Sequence, residues 1–193
     1  MGPRIIKSII FATEPEKNYT EYYMRDATGN IMAIYREAAS EETKLQEHVV
    51  YGSSRIGVVS VSNSESEHNL SVERGSKQYE LSNHLGNVLA TITDRKLRTA
   101  SDTVSYIADV SSVSDYYPFG SLIGSRSFSG YRFGFQGQEA ENELFGEGNV
   151  SFFTYRISDN RLGRFFAVDP LAPKYPYYST YQFSGNRVID MIE

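Results

Sequence analysis

The sequence predicts an all-β fold: consecutive antiparallel β-hairpins forming a curved open sheet. Three observations carry that expectation. A turn pattern, Asp or Asn followed within a few residues by Gly, recurs along the chain. Aromatic and β-branched stretches flank each copy, as paired strands require. The segment with the best helical composition has no sustained apolar stripe, so very little helix is expected.

Taken in order, Met1 to Phe11 carries Arg4, Lys7 and a short apolar run, Ile9-Ile10-Phe11, before Glu14-Pro15-Glu16. That is too short for the apolar region of a secretion signal. Either the chain is not exported by itself, or Met1 does not open the full product. Tyr23 to Tyr35 is the first copy of the pattern, with Asp26 and Gly29 at its turn. An Asp or Asn side chain caps such a turn, and Gly takes the positive-φ position that closes it.

Glu37 to Glu47 is the helix-prone segment, although a long hairpin with a polar tip suits it equally. Gly52 to Val61, with Gly57 as its glycine, is a weaker copy. Residues 62–76, rich in Ser, Glu and Asn, read as a solvated loop. Tyr79 to Asp94 is the second full copy, with Asn83, Gly86 and Asn87 at the turn. Lys96 to Ser114 starts charged and continues as alternating β, placing Val104, Tyr106, Ala108 and Val110 on one face. Asp115 to Gly120 is a turn with an aromatic clamp, and Glu139 to Asn149 an acidic, exposed connection. Tyr155 to Asp169 is the third copy, built on Asp159, Gly163 and Arg164. The glycine spacing is irregular, which describes hairpins with variable insertions and no fixed-period solenoid.

Composition excludes several classes. With 193 residues, the chain suits one domain or a piece of something larger. Zero Cys removes disulfides, thiolate metal sites and cysteine nucleophiles. A net charge of −5 argues against nucleic-acid partners, which require a basic surface. No run of eighteen apolar residues exists, so no membrane span is expected. The three histidines, His48, His68 and His84, have no partner at metal-ligand spacing, and no Gly-x-Ser-x-Gly elbow occurs. No cofactor or metal is expected.

The motif order resembles the RHS repeat-associated core domain of the RHS/YD-repeat family. His84-Leu85-Gly86-Asn87 through Asp94 is similar to the signature that opens that domain. Tyr116-Tyr117-Pro118-Phe119-Gly120 resembles its aromatic-Asp-Pro-Phe-Gly element, with Tyr117 where Asp is usual. Arg132 to Glu139, containing Gly137, resembles its Arg-Phe-x-x-x-Gly-Gln-Glu element, and Phe153 to Pro170 the start of its closing section. Tyr181 to Glu193 follows its tail in outline: Tyr181 and Asn186 match, while Phe183, Val188 and Glu193 stand at a Tyr, a Pro and an Asp. The resemblance divides the chain into YD-type repeat hairpins and loop, 1–76, and core domain, 77–193.

The resemblance implies a β-sheet that spirals into a hollow shell, closed at one end by the core. In polymorphic toxins such a shell encloses a variable C-terminal toxin, and related shells occur in insecticidal toxin complexes and teneurins. The implied role is a structural shell segment, secreted or at the cell surface as part of a longer protein. Its implied partners are the remainder of that shell or a downstream toxin module. In several members the core cuts the chain once through Asp residues. Carried over, those roles fall on Asp169, at the Asp-Pro position, and Glu193, at the final Asp. Two carboxylates sharing a proton could then serve as base and acid around a water. The missing Gly after Pro170, Val188 and the longer Glu193 all weigh against activity, so the chain reads as structural, at most a self-cleaving aspartyl protease. A carbohydrate-binding adhesion module is a third reading, resting on Tyr175, Tyr177, Tyr178, Tyr181 and Phe183 as a stacking platform. So short a chain leaves sheet edges open to association.

Overall fold

The computed structural model describes residues 3–39, 41–61, 73–99, 104–128 and 130–193. Eight antiparallel strands form one sheet in strict sequence order: β1 (Ile6–Ile9), β2 (Tyr19–Arg25), β3 (Ile31–Ala38), β4 (Lys44–Tyr51), β5 (Arg55–Ser60), β6 (Lys77–Ser82), β7 (Val88–Arg98) and β8 (Tyr106–Val113). The order is linear, so the sheet is open. A second, four-stranded sheet runs β12 (Arg164–Phe165), β11 (Ile157–Asp159), β10 (Val150–Phe152), β9 (Glu139–Ala140). One helical turn, α1 (Asn142–Phe145), and a few 3-10 turns are the only helix among the described residues. The all-β expectation is met.

The chain divides into two compact units, residues 3–80 with 92–109, and residues 81–91 with 110–193. In the first, Tyr23, Ile34, Val49, Val58 and Val59 are buried. Register places Tyr23 opposite Ile34 and Val49 opposite Val58, so cross-strand apolar pairs hold the ladder. Glu21 is also fully buried, and its charge is met by Arg36 at 2.7 Å.

The ambiguous stretch after Ala33 resolves as the hairpin of β3 and β4, with Lys44 reaching Glu41 at 2.9 Å across the polar tip. Without an apolar stripe to bury, a helix there has no tertiary support, and strand pairing wins. Gly57 was expected at a turn, but it lies inside β5, and the tight turn falls earlier, where Gly52 N–H donates to Ser54 O at 2.8 Å. A Cβ on Gly57 would stand 1.9 Å from the Gln78 carbonyl oxygen, so close strand approach explains the glycine. Of the expected solvated loop, residues 62–72 lie outside the described residues, and 73–76 form a turn closed by Gly75 at φ 99°.

The second unit is organised around aromatic rings. Phe183 is fully buried and packs on Phe135, Phe153, Phe165 and Phe119, with centroids 5.4–6.3 Å apart. The stretch expected to be an exposed connection, Glu139 to Asn149, is partly internal instead. Glu139 and Glu141 are buried, and Glu139 pairs with Arg132 at 3.1 Å beside strand β9. A charged composition suggested solvent; the ion pair with Arg132 decided otherwise.

Candidate functional site

The turn residues are placed by short-range hydrogen bonds. Asp26 accepts from the Thr28 and Asn30 backbone N–H groups at 2.8 and 2.9 Å and from both of their side chains, while Gly29 sits at φ 94°. The Asn30 and Thr28 side chains hold the Asp26 carboxyl down at about 2. Asn83 Oδ1 accepts from Leu85 and Asn87 N–H, both at 3.0 Å, with Gly86 at φ 79°. Asp159 Oδ1 accepts from Arg161 N–H at 3.0 Å, and the Arg161 side chain donating to it keeps its carboxyl below the usual carboxylate range. Gly163 follows at φ 62°, and Arg164 opposes Asp159 across β11 and β12. Gly120 closes the turn after Tyr117 at 2.8 Å, and Gly137 that after Gly134 at 3.0 Å.

Some of these side chains reach much farther than a turn. Asn87 Oδ1 accepts from the Gln136 N–H at 2.8 Å, a link across 49 residues. Gln136 itself has φ 49°, a conformation costly for a residue with a Cβ. Its side chain spans the tail, donating to Met191 O at 3.3 Å and accepting from Glu193 N–H at 3.0 Å. His84 Nε2 donates to Ile189 O at 3.1 Å.

The two candidate catalytic carboxylates are brought together, and a residue without an assigned role does it. Arg156 is 8 % exposed, and its Nη1 lies 3.0 Å from Asp169 Oδ2 while Nη2 contacts Glu193 Oε1. Glu193 Oε2 also accepts from the Ser184 N–H at 2.9 Å and from its hydroxyl at 3.2 Å. Ser184, like Gln136, holds a positive φ, 41°. Asp169 Oδ1 accepts from Leu171 N–H at 2.7 Å, which fixes the carboxylate at the head of its own turn. The Phe165 ring lies under the guanidinium, 3.7 Å from its carbon. One cation thus clamps two anions, an arrangement that orders the tail rather than pairing two carboxyls face to face.

A cavity of about 170 Å³ opens beside this clamp, lined by Arg156, Asp169 and Glu193 together with Tyr175, Tyr178 and Thr180. Arg156 lies within the Phe153 to Pro170 stretch but had no role assigned from sequence; its partners lie 13 and 37 residues away. Ser184 and Gln136 carried no sequence signal for this site. Of the aromatic platform, Phe183 belongs to the core, while Tyr175, Tyr177, Tyr178 and Tyr181 are 44–74 % exposed. Their rings are not coplanar: Tyr175 and Tyr177 meet at 87°, Tyr177 and Tyr178 at 59°. Among the described residues, no group of three His, Cys, Asp or Glu could hold a metal ion. No described helix is long and apolar enough to cross a membrane.

The fold therefore defines a class: an open all-β chain of successive hairpins followed by an aromatic-cored unit with a clamped tail. Solved structures of Tc toxin components resemble its fold. A crystal structure of TcdB2-TccC3-Cdc42 matches with a TM-score of 0.59 at 12 % identity, over 97 % of this chain and 9 % of that one. TcdB2-TccC3-TEV matches at 0.52 and 13 %, over 97 % and 9 %. The Tc holotoxin pore of Photorhabdus luminescens, carrying a TccC3 mutation, matches at 0.51 and 13 %, again over 97 % and 9 %. This chain spans about a tenth of the length of those it matches. At such identity the likeness is one of fold. No family model and no curated protein matches the sequence.

Proposed function

We propose that this chain is a structural segment of an RHS-type toxin shell, with residues 77–193 forming the core end that encloses or presents a downstream module. The observation that carries the reading is the fold likeness: nearly the whole chain aligns on a tenth of a Tc toxin component. Strands paired in unbroken sequence order suit a wall that lengthens by adding hairpins. The tail clamp suits a chain end whose exit must be held in one place. Secretion or surface display would follow from the larger protein. The test is protease protection: the flanking reading frame is joined to this chain, and trypsin is added to the native product. Resistance of the downstream module until the wall is denatured is the expected result. Its immediate digestion would sink the enclosure reading.

A second reading is favoured by one specific observation, the convergence of Asp169 and Glu193 on Arg156. There the clamp would serve a single self-cleavage beyond Glu193. A chain extended past Glu193 would fragment during expression, and Asp169→Asn would leave it whole; an extended chain intact without the substitution counts against it.

A further inference from the structure

The segment Pro173-Lys174-Tyr175-Pro176-Tyr177-Tyr178 carries three tyrosines on one short stretch of stiff backbone. Pro173 and Pro176 fix φ at their own positions. Hydrogen bonds close the turns around them: Lys174 N–H donates to Leu171 O at 2.8 Å, Tyr175 N–H to Ala172 O at 3.1 Å and Tyr178 N–H to Tyr175 O at 3.0 Å. The rings are thereby held against one another. The Tyr177 and Tyr178 centroids are 4.7 Å apart, and Tyr175 stands 6.3 Å from the first and 6.4 Å from the second. None of the three packs in the cluster around Phe183. Tyr177 is 74 % exposed, the most of the 15 tyrosines in the chain. The shell reading gives this exposed trio no role.

We infer that Tyr177 is an oxidative crosslinking site, joining two copies of this chain through a carbon–carbon bond between their Tyr177 rings. The composition favours tyrosine as the place where oxidation comes to rest. Trp and Cys compete with tyrosine for one-electron oxidation, and a thiol repairs a tyrosyl radical by giving up its hydrogen atom; this chain has neither residue. The oxidant is a peroxide used by a haem peroxidase. One hydrogen peroxide takes an electron and a proton from the phenol of each copy and leaves as two water molecules. The unpaired electron of each phenoxyl radical is shared between its oxygen and the ring carbons next to it, and two such carbons join. Each then passes its hydrogen to the phenoxyl oxygen, which restores both aromatic rings and both hydroxyls. Contact among the three rings lets the electron deficit move from Tyr175 or Tyr178 to Tyr177, the ring most open to a second copy. The same surface meets itself in such a pair, so the contact is isologous and closes at a dimer.

The experiment treats the whole 193-residue chain with a haem peroxidase and hydrogen peroxide, then reads dityrosine fluorescence, a denaturing gel and the masses of linked peptides. The expected product is a dimer that survives denaturant and reduction, two hydrogen atoms lighter than two chains, with Tyr177 to Tyr177 as its main linked pair. Tyr177→Phe keeps the ring and its packing but removes the phenol, and it should lose most of the dimer. Tyr155→Phe, at the next most exposed tyrosine, should keep it. No dimer, a dimer undiminished by Tyr177→Phe, or links spread evenly over Tyr106, Tyr117 and Tyr155 would each overturn the assignment. So would a link confined to one chain, from Tyr177 to Tyr175 or Tyr178.

Discussion

Asp26 shows what a single side chain contributes to this chain. Its carboxylate gathers four hydrogen bonds from Thr28 and Asn30, which pull its titration from 3.8 to about 2. A depressed carboxyl stabilises the turn fully above its unfolded value and loses that contribution as pH falls through the folded one. The Asp26 carboxyl and the Thr28 and Asn30 amides should therefore titrate together near pH 2 by NMR; a common midpoint near 4 would show the turn bonds absent. Gly57 makes the opposite point, since it acts by what it lacks. Placing a methyl 1.9 Å from the Gln78 carbonyl must push β5 and β6 apart. Gly57→Ala should cost about 1–3 kcal/mol in urea unfolding, as overpacking does elsewhere. A variant as stable as the parent would mean the strands separate freely there.

Among the elements, the aromatic cluster of the second unit has a single centre. Phe183 has no exposure and touches four other rings, so its removal leaves a cavity that none of them can fill without leaving its own contacts. Phe183→Ala is expected to destabilise by about 3–5 kcal/mol, read from the shift of the thermal midpoint. Because Ser184 follows directly, the same substitution should loosen Glu193 and expose the 191–193 amides to faster hydrogen exchange. Unchanged exchange there would separate the tail clamp from the core. The turns were legible in sequence because their capping bonds span two to four residues. The clamp was not, because Arg156 meets Glu193 across 37 residues and no local pattern encodes that meeting.

The eight-stranded sheet as a whole presents two end strands. Ile6 on β1 and Tyr106, Ile107 and Val110 on β8 are 44–59 % exposed. Of the residues expected on one alternating face, Val104 precedes the strand while Tyr106, Ala108 and Val110 lie on β8, and all four are exposed. Such edges pair with whatever strand is offered. Sedimentation should show concentration-dependent association of the chain, reduced by Ile6→Lys or Ile107→Lys. A monomer at all concentrations would show that these edges are protected by twist alone.

The sequence by itself determined the fold class and the turns at Asp26, Asn83 and Asp159, because each depends on neighbours within a few residues. It also marked Asp169 and Glu193 as notable carboxylates. Tertiary structure alone decided that Gly57 lies within a strand, that Glu139 is buried against Arg132, and that Phe183 is core rather than platform. It also supplied Arg156 as the cation that joins the two carboxylates. Charge pairing and ring packing act through space between distant segments, and only the folded chain brings those segments within reach.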